Sequence, residues 1–133
     1  MEYQQYNNIF SSKGGIDLGH DDCVFCQVLE KQLPGKIEYE DDDLAVIWDI
    51  NRQAPTHLLV IPKKHLEKMS DMEEEDTGLL CKMLVVAKDM AKKLNLDEKG
   101  YRLVINEGRD AGQSIFHLHM HLLSGRRLMW PPG

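Results

Sequence analysis

The chain has no apolar run long enough to cross a bilayer, which takes about 20 consecutive apolar residues. Its opening stretch, MEYQQYNNIFSSKGG, is polar and holds no apolar core of the kind a secretory signal needs. Basic residues are not in excess: the net charge is −6, whereas a general nucleic-acid binder would carry a basic patch. An anionic ligand must therefore be met by local donors and not by a whole-molecule field. Cysteine is sparse and its count, 3, is odd, which does not suit a secreted disulfide scaffold. A reducing cytoplasm with free or metal-bound thiols fits these absences. The 133 residues are the size of one domain, large enough for a core without covalent staples.

What the chain does have is concentrated between Gln113 and Leu123. Phe116, Leu118, Met120 and Leu122 share one parity, and His117, His119 and His121 share the other. Period two predicts a half-buried strand with an apolar face and an imidazole face. Packing does not ask for three neighbouring imidazoles, because a buried ring needs partners for both nitrogens. The residue types point to a metal site, to a nucleophile with acid–base help, or to both.

The remaining segments read in order. Residues 1–20, rich in Gln, Asn, Ser and Gly, predict a flexible extension, on which Tyr3, Tyr6 and Phe10 are candidates for docking on the body. Asp21 and Asp22 suit a helix start, and Val24, Phe25, Val28 and Leu29 give it a stripe. Cys23 and Cys26 have metal-ligand spacing, though two more ligands would be needed for a tetrahedral zinc. Strands are expected over 36–40 and 44–49, joined by Asp41-Asp42-Asp43, then over 57–62 and 101–106. Asp49, closing its strand, reads either as a turn cap or as a ribose-hydroxyl acceptor. His57 opens the next strand. Ser70 and Glu73 have capping-box spacing. Leu80, Met83, Leu84, Ala87, Met90, Ala91 and Leu94 predict one long amphipathic helix over 77–94, facing the sheet or a second subunit. Cys81 reads as a small helical residue. The glycine-bearing connection 107–112 reads as a loop that presents backbone N–H groups to a phosphate. The class is α+β.

HLHMHLL, with Asn106-Glu107-Gly108 and Gly112-Gln113-Ser114 before it, resembles the histidine triad of the HIT superfamily of nucleotide hydrolases and transferases. The ending GRRLMWPPG resembles the Hint branch, and the likeness runs over about residues 22–133. It implies a single HIT domain over 21–133, with a tail at 124–133. It implies about five antiparallel strands with one long and one short helix, paired into a ten-stranded sheet across a homodimer. It implies a structural zinc on Cys23, Cys26, His65 and His117, a closed shell that takes no part in the chemistry. It also implies a purine nucleotide or nucleotide conjugate as ligand, cleaved as a 5′-phosphoramidate through a covalent nucleotidyl-histidine.

His119 is the implied nucleophile. His121, His57 and Ser114 are the implied donors, with His121 or Ser114 protonating the leaving amine. Asp49 would hold the ribose. Ile50, Trp48, Asn106, Gly112 and Gln113 would complete the nucleotide site, and Trp130 would reach the partner's pocket. Related proteins have Phe-His before the Asp, where this chain has Ile47-Trp48, so Trp48 alters the wall expected to hold the base. Three competing readings follow from the same residues. They are a dinucleoside polyphosphate hydrolase of the superfamily, a metallohydrolase with an open zinc on His117, His119 and His121, and a non-catalytic nucleotide-binding protein.

Overall fold

In the computed structural model, residues 22–133 are described; the expectations for residues 1–20 and for Asp21 lie outside them. The elements are α1 (Val24–Leu29), β1 (Ile37–Glu40), β2 (Leu44–Trp48), β3 (Thr56–Pro62), α2 (Thr77–Lys93), β4 (Tyr101–Val104) and β5 (Met120–Ser124). The strands form one antiparallel sheet in the order β1-β2-β3-β5-β4. After β3 the chain crosses the sheet in α2, returns as the edge strand β4, and then inserts β5 between β4 and β3. The two histidine-bearing strands, β3 and β5, are therefore neighbours at the centre.

Alternation assigns the faces. Leu44 and Val46 of β2, Leu58 and Val60 of β3, and Met120 and Leu122 of β5 pack on Met83, Val86, Ala87, Met90 and Ala91 of α2. The other parity, Ile47, Leu59 and Ile61, packs on Val24, Phe25 and Val28 of α1. Burying each aliphatic side chain fully contributes roughly 1.5–3 kcal/mol.

Three local expectations are corrected. The triad segment is not half-buried: His117, Leu118, His119, Met120 and His121 are all buried, and only Phe116 is exposed, at 60%. The reason is that α1 covers the imidazole face while α2 covers the apolar one. The regular strand also begins only at Met120, because residues 116–119 run beside the segment after β3, where the Leu118 amide donates to the Leu66 carbonyl at 2.6 Å. Second, the capping box is formed by Glu73 and Asp76, since Ser70 donates its hydroxyl to Glu107 instead. Third, the apolar stripe of α2 runs through Val86, and Leu84 is left outward and exposed. Cys81 is exposed. Among the described residues no helix is long and apolar enough to cross a membrane.

Candidate functional site

The metal-ligand side chains come together from three segments. Cys23 caps α1, accepting from the Cys26 amide through its sulfur. His65 lies just beyond β3, and His117 enters the central sheet. The His117 Nδ1 lies 3.1 Å from Cys23 Sγ and 3.5 Å from Cys26 Sγ, and the His65 Nδ1 lies 3.4 Å from Cys26 Sγ. All four ligand atoms fall within 4.8 Å of one another. A tetrahedral zinc with bonds of about 2.0–2.3 Å needs donors about 3.3–3.8 Å apart, so the set fits it.

The protonation pattern fits as well. His117 Nε2 donates to the Pro62 carbonyl at 2.7 Å, which leaves the lone pair on Nδ1, towards the sulfurs. A hydrogen bond from the Cys26 thiol pulls the Cys23 thiol down against the effect of burial. The same bond pushes Cys26 up. Sulfurs beside the His117 lone pair are donors of the kind that zinc takes.

The other two triad imidazoles face elsewhere. His119 Nδ1 donates to the His117 carbonyl at 2.7 Å. The lone pair of the neutral ring is thus on Nε2. Phe25 stands edge-on to this ring with centroids 5.0 Å apart, which fixes its plane. Burial lowers the His119 pKa below its ordinary 6.5, so the ring is neutral at pH 7.

His121 and His57 form a chain. The Gln53 amide donates to His57 Nδ1 at 3.1 Å. His57 must then carry its proton on Nε2, which lies 2.9 Å from His121 Nδ1 and 3.4 Å from Asp49 Oδ2. His121, accepting on Nδ1, presents Nε2–H. Burial pushes His121 down to about 3, helped by His119 and His57, and burial lowers His57 too. Asp49, His57 and His121 bring three ligand atoms within 4.8 Å, but the Gln53 amide keeps a proton on the His57 nitrogen a cation would need. Nor do His117, His119 and His121 point their lone pairs at one centre, which removes the geometric basis for an open zinc on the triad.

The Gln53 carbonyl is held in turn by Arg126 Nε at 2.9 Å. The tail reaches it by turning at Gly125, whose φ is +100° and whose added Cβ would lie 2.7 Å from Pro55 Cβ. Gln53 carries no motif and acts through its main chain, and Arg126 lies in the GRRLMWPPG ending without having been singled out there. The sole sequence signal is that both flank segments already marked by His57 and the triad. Arg126→Ala is expected to lower kcat roughly five- to tenfold, the worth of about one net hydrogen bond. Partial rescue by Arg126→Lys and a shifted His57 ¹⁵N tautomer signature would mark this as positioning; an unchanged tautomer would reduce it to surface packing.

The remaining predicted residues separate. Asp49 is buried beside His57, and Ile50 next to it is 47% exposed. Ser114 is exposed. The Gln113 side chain braces its own loop, donating to the Glu67 and Ile115 carbonyls and accepting from the Gly108 amide. Gly112 adopts φ +83°, and its amide donates to the Arg109 carbonyl while the Gln113 amide donates to the Gly108 carbonyl. Those three N–H groups point into the loop and are engaged there. Asn106 follows β4 and is half-buried. Trp48 lies on the α2 face of the sheet, opposite His57 and His121, with Lys36 and Arg52 4.8 and 4.4 Å from its ring centroid. Trp130 is 80% exposed near the end of the tail.

The HIT domain model matches residues 30–128. An uncharacterized HIT-like protein of a Synechocystis strain is 44% identical over 113 residues, 85% of this chain and 98% of that protein. The crystal structure of a HIT family hydrolase from Legionella pneumophila superposes with a TM-score of 0.82 at 44% identity, covering 84% of this chain and 99% of that one. A Zn-bound histidine triad family protein from Mycobacterium smegmatis superposes with a TM-score of 0.70 at 33% identity, covering 81% and 78%.

Proposed function

The chain belongs to the HIT domain family, and from that premise we propose that it is a hydrolase of nucleotide conjugates. It would cleave nucleoside 5′-phosphoramidates through a nucleotidyl-His119 intermediate. The observation that carries this reading is the pair of opposite tautomers: a lone pair on His119 Nε2 beside an N–H on His121 Nε2. One nitrogen is set to attack phosphorus and the next to hold the oxygen that gains charge.

His119 Nε2 attacks the α-phosphorus, the P–N bond breaks, and the leaving amine takes a proton from His121 or Ser114. Water then attacks the nucleotidyl-histidine, one of its protons returns to that donor, and nucleoside monophosphate leaves with the His119 ring restored. His57 supports His121 by donating to its Nδ1. Asp49 would accept from the ribose hydroxyls, with Ile50 and Asn106 beside the nucleotide. Cys23, Cys26, His65 and His117 would hold zinc, which when bound fastens α1 to the sheet and stands outside the reaction. In this reading the protein works as a homodimer in which Trp130 completes the partner's pocket.

The pH dependence has a definite sign. The folded pKa values of His57 and His121 lie below 6.5. The neutral rings therefore persist as pH falls below 6.5, and the acid limb of kcat/KM should lie well under that value. The unfolded chain takes up protons first, so the stability these two rings contribute should be full above about pH 6.5 and decline below it. An acid limb centred at or above 6.5 would count against neutral, buried imidazoles. Release of a fluorescent amine from an adenosine 5′-phosphoramidate is the direct assay of function.

A further inference from the structure

A cleft of about 250 Å³ opens where the segment before β4 meets the C-terminal tail. Lys99, Arg102, Arg126 and Arg127 line it, and no acidic residue does. None of these four makes an ion pair with a described acid, whereas Lys31, Lys63, Lys64, Lys82 and Lys88 all do. In a chain of net charge −6, four gathered cations without a counter-charge among the described residues create a local positive potential. Two of them are aimed by the main chain. Arg102 Nη2 donates to the Met129 carbonyl at 3.0 Å, and Arg126 Nε donates to the Gln53 carbonyl at 2.9 Å. A guanidinium has five donors in a planar fork, so each, once oriented, keeps donors for a carboxylate or phosphate.

Two connections place the cleft beside the imidazoles. Through the sheet, Arg102 pairs with Leu123, which pairs with His57. Directly paired residues share a face, so Arg102 lies on the imidazole face, about 10 Å from His57 at two strand spacings. Through the tail, Arg126 holds the residue whose amide orients His57. That span suits a leaving group a few bonds long.

We propose that this cleft receives an anionic group carried on the leaving side of the substrate, a carboxylate or a further phosphate. The anion site stands on geometry alone; its role towards the leaving group rests on the phosphoryl-transfer reading above. The selectivity would come from charge-assisted hydrogen bonds made outside the reacting centre, with Lys99 and Arg127 the two cations not engaged with the main chain through their side chains.

The test uses the full chain and the exposed pair Lys99→Gln/Arg127→Gln. Calorimetry with inorganic tripolyphosphate should show binding to the wild type that weakens about tenfold or more in the double variant. Equal affinity in both overturns the anion site. Turnover is then compared for an adenosine phosphoramidate whose amine bears a carboxylate, for its neutral methyl amide, and for diadenosine triphosphate. The wild type should favour an anionic leaving group by about tenfold in kcat/KM. The double variant should lose that preference, with the neutral amide unchanged. Loss on the carboxylate substrate alone assigns the group as a carboxylate, and loss on diadenosine triphosphate alone as a phosphate. No loss on either overturns the leaving-group role. Tripolyphosphate binding by a wild type that turns over none of the three would leave the anion site intact and sink the hydrolase reading.

Discussion

His119→Ala is expected to reduce amine release from an adenosine 5′-phosphoramidate by about 10⁴-fold or more, as removal of a covalent nucleophile does. Nucleotide binding should fall only severalfold, because Asp49, His57 and His121 remain. The expectation follows from one hydrogen bond: Nδ1 is committed to the His117 carbonyl, which puts the reactive lone pair on the opposite side of the ring. No neighbour can substitute, since His121 carries a proton on Nε2 and His117 turns its lone pair to the sulfurs. Rapid quench with a radiolabelled substrate should trap label on the wild-type chain. A variant that retains full turnover would end the covalent reading and favour direct attack by water.

Removal of zinc is the second large effect. Stripping metal, or Cys26→Ala, is expected to lower the melting temperature by roughly 10 °C or more. Structural zinc contributes several kcal/mol to a small domain, and each kcal/mol shifts a melting midpoint by about 4–8 °C in a domain near 100 residues. The loss should be largest in α1, which reaches the sheet through Cys23, Cys26 and the Phe25 cluster. Below the new midpoint the remaining folded protein should keep its turnover, because no ligand atom of the set is needed in the reaction. Metal content and melting followed together decide it: a stripped chain that melts with the native one removes the metal centre. A native chain whose turnover tracks zinc strictly at low temperature would transfer the chemistry to the metal.

What could be read from the residues depended on how local the physics was. The strands announced themselves because alternation is a neighbour-to-neighbour property, and β2, β3, β4 and α2 lie within a residue or two of expectation. The triad was visible since three imidazoles fall on one parity. The covering of that face by α1 was not, because a six-residue helix and a strand some ninety residues later meet only in three dimensions. The same limit applies to Trp48: parity put it opposite Asp49, but which face holds the imidazoles depends on the register of β2 on β3. The capping box failed for a related reason. Ser70 found a distant acceptor in Glu107, and Asp76, three residues after Glu73, closed the box instead. Gln53 was invisible because it acts through a main-chain donor and a main-chain acceptor, which leave no mark on residue type.

The turn at Gly125 carries a consequence for how this protein can vary. No other residue fits there without pushing into Pro55 at a backbone angle that side chains resist. That single bend sends Arg126 to Gln53, and so decides where the proton sits on His57. A position with no side chain at all thus acts on the protonation of an imidazole through two intermediaries. Under random mutagenesis with selection for turnover, Gly125 should tolerate less change than its neighbours in the tail but more than His119, because the loss of Arg126 itself costs only five- to tenfold. Substitutions at Gly125 and Pro55 should be strongly epistatic: a smaller residue at position 55 would partly restore function to a side chain at position 125. Lineages that alter the tail would then have to alter both positions together.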